Sequence, residues 1–151
     1  MDRWPPVGSG VGRHSQKIAV GVRIVRLGSA RSEGEGTRIG TVRRPPRGVP
    51  KAEFAARNWY DVWFPNLAPS VETMKLGQEA STPAQWAVFS KRYRAEMSTP
   101  EASHTLELLA VLSHHANFSV GCYCENEAHC HRSVLRALLA EKGAAVEQVL
   151  P

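Results

Sequence analysis

The stretch CYCENEAHCHRSVL, Cys122 to Leu135, holds all three cysteines of the chain and two of its six histidines, His129 and His131. Arg132 follows at once, and after it comes an apolar pattern of helical period. Three chemistries fit these residue types. A thiol beside a helix start and an arginine can attack, or simply hold, a bound anion. Clustered thiols and imidazoles can ligate zinc. A buried cysteine can also be no more than a small hydrophobe in a strand.

The anion reading needs a strand ending near Cys124, a short loop, and a helix beginning within His129 to Arg132. Free N–H groups at that helix start, and the helix dipole, favour negative charge there. Arg132 would add a guanidinium suited to bidentate contact. The outline is similar to strand–Cys–loop–Arg–helix enzymes such as phosphatases and rhodaneses. Seven residues separate Cys124 from Arg132, however, a longer interval than in the phosphatase loop, and Glu125 and Glu127 add negative charge to it.

For a metal, Cys122 and Cys124 at i and i+2 share one side of a strand, and Cys130 with His129 or His131 would complete four ligands. The spacing matches no common zinc pattern, and no second ligand pair lies elsewhere. No metal and no cofactor is therefore expected. Cys122, in a strand beginning FSVG, is expected in the core. His104, His114 and His115 lie on or near the end of a helix, where its dipole accounts for them.

The elements that must position these groups are read from period and punctuation. Lys17 to Leu27 and Arg38 to Arg44 are β-branched and read as strands, separated by the flexible loop GSARSEGEGT. PPRGVPK stops the second strand, because proline cannot donate to a ladder. KAEFAAR suggests a helical turn, followed by an aromatic extended segment with Trp59, Trp63 and Phe64 packing inward. Helices are expected after Ser70, at Thr82-Pro83 and at Thr99-Pro100, each with a capping hydroxyl and two with proline at the first helical position. NFSVGCYC is a buried strand, Val134 to Leu139 mark a last helix stopped at Gly143, and AAVEQVL suits a final edge strand. Strands separated by helices imply an α/β fold, a small and mainly parallel sheet with helices packed on it.

With 151 residues the chain suits one domain. Residues 1–16, rich in Gly, Pro and Ser, read as a disordered tail, and residues 17–151 as a single α/β domain. No apolar run approaches a membrane span, and the N-terminus lacks a secretory core, so no membrane partner is expected. Three cysteines, two of them one residue apart, argue against a disulfide framework and for a cytoplasmic protein with reduced thiols. Residues 1–57 carry twelve Lys/Arg against four Asp/Glu, whereas residues 58–151 carry seven against ten. The basic half invites a nucleic-acid reading, weighed below a small anionic ligand because many of its arginines lie in Gly/Pro-rich segments.

At PPRGVPK, LAPS, RYRAEM and CYCENEAHCHRSVL the sequence resembles the domain of unknown function 488 family, the YeaO-like proteins, over about residues 37–143. Arg43, Pro46, Arg47 and Gly48 match a front motif in which Val42 stands where an acid is usual and Pro45 where a tryptophan is usual. Asn66 to Ser70 and Arg92 to Glu96 match as well, and Cys130-His131-Arg132 resembles the turn of one branch. The resemblance implies a small α/β fold and brings no established activity with it.

If strands 38–43 and 118–124 are parallel neighbours, both end at one sheet edge, where ligands of open α/β sheets bind. The RRPPRG loop and the CHR turn would then share a crevice. Arg43, Arg47 and Arg132 are the expected anion-binding groups, with Cys124, Cys130 and His131 as catalytic candidates should the protein be an enzyme on a phosphorylated or nucleotide-like ligand. Two alternatives stay open: a nucleic-acid module on the basic half, and a cysteine-based metal or redox sensor.

Overall fold

The computed structural model describes residues 20–147, so the expected tail at 1–16 lies outside it. Four strands, β1 (Val22–Arg26), β2 (Thr37–Gly40), β3 (Val62–Trp63) and β4 (Phe118–Cys122), form one sheet in the order β1-β4-β2-β3. Every pairing is parallel, with Val22 and Thr37 both opposite Phe118. The helices are α1 (Val71–Glu79), α2 (Pro83–Glu96), α3 (Pro100–Leu112) and α4 (His131–Glu141). The architecture is α/β, as the alternation of strands and helices implied.

The expected helix starts are where the capping chemistry put them. Ser70, Thr82 and Thr99 side chains accept from the backbone N–H three residues on, and Pro83 and Pro100 open α2 and α3. One sheet face, with Val22, Phe118 and Val120, packs on Phe89, Tyr93, Leu106, Leu135 and Leu139 from the helices. Beyond α4 the described residues contribute a single bridge, Val146 to Val22, and residues 148–150 of the expected edge strand lie outside them. Trp63 departs from expectation. It is 43 % exposed, its indole N–H donating to Val42 O at 2.8 Å, because the two-residue β3 is the edge strand. Among the described residues no helix is long and apolar enough to cross a membrane.

The loop between β1 and β2 is glycine-rich, yet its backbone is held from several sides. Parallel strands are normally joined by a helix that covers the sheet, yet residues 27–36 contain none. A buried arginine does the covering instead. Arg38 donates from Nε to Glu35 Oε2 at 2.8 Å, and from Nη1 to Ser29 O at 2.9 Å and Asn58 O at 2.8 Å. Ser119 of β4 donates to Glu35 Oε2 at 2.6 Å, tying the loop to the central strand.

Burial pushes the Glu35 carboxyl up, but hydrogen bonds from Arg38, Ser119 and the Ser32 N–H, with the Arg38 charge, bring it down from 4.5 to about 2. The depressed value contributes about 3 kcal/mol of stability that is intact above the unfolded value of 4.5 and is lost as pH falls from there through 2. Acid titration of the folded protein should therefore show a stability loss over that window. Glu35→Gln should flatten it, and an unchanged slope would remove Glu35 as its source.

Candidate functional site

Three of the four family-like motifs turn out to hold one another. Arg43 donates to the carbonyls of Ala68 (3.1 Å) and Pro69 (3.0 Å), Ser70 Oγ donates to Glu96 at 2.6 Å, and Tyr93 OH donates to Leu67 O at 2.7 Å. NLAPS and RYRAE thus act as a frame that fixes the loop after β2. Thr41 closes the other side, its N–H and hydroxyl both donating to Gly121 O at 2.9 Å.

Within this frame the carboxyl ends of β1, β2 and β4 open into a cleft of about 820 Å³. Its lining includes Arg26, Arg43, Arg44 and Arg47 and contains no Asp or Glu. Arg26 pairs loosely with exposed Glu125 at 3.6 Å, while the Arg44 and Arg47 guanidiniums have no partner among the described residues. Trp59 and Trp86 also line the cleft, Trp59 set edge-on to Tyr123 (5.8 Å) and Trp86 stacked on Phe89 (4.6 Å).

The floor is the sulfur-rich turn. Cys130 is the N-cap of α4, and its Sγ accepts from Arg132 N at 3.5 Å. His131 Nε2 donates to Thr41 O at 2.9 Å, which leaves Nδ1 as the acceptor, 3.9 Å from Cys130 Sγ. A fixed imidazole beside a thiol at a helix start is the arrangement that activates cysteine nucleophiles. Cys122 Sγ lies 3.7 Å from Cys124 Sγ. That hydrogen bond holds the Cys122 thiol well above the usual thiol range and Cys124 well below it, the Arg132 charge adding to the second effect. Cys130 is lowered as well, by the hydrogen bond from Cys122 and by His131.

Of the residues expected from sequence, Arg43, Arg47, Cys124, Cys130 and His131 line the cleft. Arg132 does not. It is buried, and its Nη2 donates to Cys124 O at 2.6 Å, so it holds the turn from behind. Sequence reasoning passed over Arg26, Arg44, Trp59 and Trp86 as site residues. Trp86 showed only the spacing of a core residue, and nothing local distinguishes Arg44 from its neighbour Arg43.

The model of a family described as the active DUF488-N3 subclade matches residues 22–143, more than half of the chain. The chain belongs to the DUF488 family. The matched segment runs from β1 past the end of α4, so every cleft residue of this DUF488 protein lies inside it. No curated protein and no solved structure matches the chain.

Proposed function

We propose that the cleft binds a small anionic ligand carrying a planar ring, of the nucleotide-like or phosphorylated class. The observation that carries this reading is a lining with four arginines and no carboxylate. Guanidinium groups suit phosphate because they donate two parallel hydrogen bonds and keep their charge at every physiological pH. Trp59 and Trp86 offer ring faces and edges for a base. The volume falls within the range of about 300–1,000 Å³ usual for small-ligand sites. Concavity favours such a ligand over nucleic acid, which would ask for an extended basic face.

Cys124, Cys130 and His131 at the floor are the groups that would meet the bound ligand, the sulfurs as thiolates and His131 as the acid–base group beside Cys130. The description of the matched subclade as active supports a chemical use of them. Three free thiols also suit a reducing, cytoplasmic setting.

Inorganic phosphate should raise thermal stability at matched ionic strength, by about 2.7 kcal/mol when it reaches a hundredfold excess over Kd. Arg47→Ala and Arg44→Ala should each remove much of that increment. Lys142→Ala, beyond the far end of α4, should leave it whole. An increment that survives both arginine substitutions would sink the reading.

A further inference from the structure

The convergence of the three cysteines is more than the sequence spacing suggested. Their sulfurs come from the end of a central strand, the turn after it and a helix N-cap, yet all lie within 4.8 Å of one another. We propose that Cys122, Cys124 and Cys130 bind one thiophilic divalent cation of the zinc type, with an open coordination position facing the cleft.

The geometry supports this directly. Two thiolates on a tetrahedral zinc at about 2.3 Å stand ~3.8 Å apart, and Cys122 and Cys124 already stand 3.7 Å apart. All three cysteines line the cleft, exposed Cys124 among them, so the protein closes three positions and leaves the fourth to solvent or ligand. Three protein ligands with one open position is the pattern of a catalytic rather than a structural zinc site.

An independent observation is the arginine behind the turn. Arg132 is 3 % exposed, its Nε has no hydrogen-bond partner, and it makes no ion pair among the described residues. A buried guanidinium needs a counter-charge, which thiolates at this turn supply. Three thiolates around a divalent ion carry one net negative charge, which balances one guanidinium; around a monovalent ion they would carry two. A divalent ion thus leaves the three-thiolate site with the smaller negative charge beside the Arg132 guanidinium. Outer contacts are in place as well, since Arg132 N donates to Cys130 Sγ and His131 is pinned by Thr41 O. On binding, each thiol that is still protonated gives its proton to solvent and its sulfur lone pair to the ion.

The test uses the full chain, reduced and stripped with a chelator, then titrated with cobalt(II) and zinc(II). One cobalt per chain should give sulfur-to-metal charge-transfer absorption, and one equivalent of zinc should abolish it. Cys124→Ser is the decisive variant because Cys124 is exposed and its loss leaves the core intact. It should weaken zinc binding by at least about tenfold, the scale on which even outer partners of a metal act. Cys130→Ser should do likewise, and His115→Ala, which removes an exposed surface imidazole, should have no effect. Absence of the absorption, or zinc affinity unchanged in Cys124→Ser, would overturn the site. So would a stripped protein that forms an internal disulfide under mild oxidant while binding no metal, which would make the trio a redox device.

Discussion

Arg38→Met should lower folding stability by about 3–5 kcal/mol, the usual result of removing one partner from a buried ion pair. The side chain is fully buried with Glu35, and the substitution strands that carboxylate with only Ser119 and the Ser32 N–H as donors. It also leaves the carbonyls of Ser29 and Asn58 without the guanidinium that ties them to β2. Denaturant unfolding should show a lower midpoint with an unchanged slope. Arg57→Ala, which breaks the half-exposed pair with Glu53, should stay within about 0.5 kcal/mol. A loss below about 1 kcal/mol for Arg38→Met would mean that other contacts hold the β1–β2 loop.

Gly36→Ala should be nearly as damaging, at about 2–4 kcal/mol. The residue has φ of 79°, where a side chain is strained, and a Cβ there would lie 2.0 Å from the backbone oxygen of Asn117. That oxygen belongs to the residue just before β4, so it cannot retreat without disturbing the central strand. Gly34→Ala separates the two effects. It shares the backbone conformation, with φ of 75°, but its nearest neighbour is 3.9 Å away. It should carry the conformational term alone, about 1–2 kcal/mol. Equal losses at the two positions would show that the contact with Asn117 relaxes.

What the sequence made legible were the features decided locally. A hydroxyl before a proline or an apolar run announced α1, α2 and α3, and the stretch FSVGC, free of charged residues, announced the buried β4. The parallel pairing of β2 with β4 followed from the helices between them, and it brought the RRPPRG and CHR segments to one cleft. Burial of charge was not legible. Glu35 lies in a glycine-rich loop and Arg38 at the start of a short strand, and nothing within a few residues distinguishes them from solvated charges. An aromatic residue in an extended segment suggests an inward side chain, and only the sheet order places Trp63 on an edge strand. The sulfur trio was legible as a ligand set, but its spacing matches no linear motif, because a helix N-cap and not a second strand supplies Cys130.

The strand order has a consequence for how the protein is made. β4 lies between β1 and β2 and pairs with both, although it comes last of the four described strands in sequence. During synthesis β1 and β2 leave the ribosome with facing edges that have nothing to pair with until Phe118–Cys122 emerges. Three of the four helices precede β4 and must wait with them, since the apolar sheet face they cover depends on Phe118 and Val120. Native contacts between segments so far apart close slowly, and unpaired strand edges are where nascent chains associate wrongly. The same late strand carries Cys122 at its end. Cys124, Cys130 and His131 follow it in the chain, so the cleft floor is completed only after the sheet is.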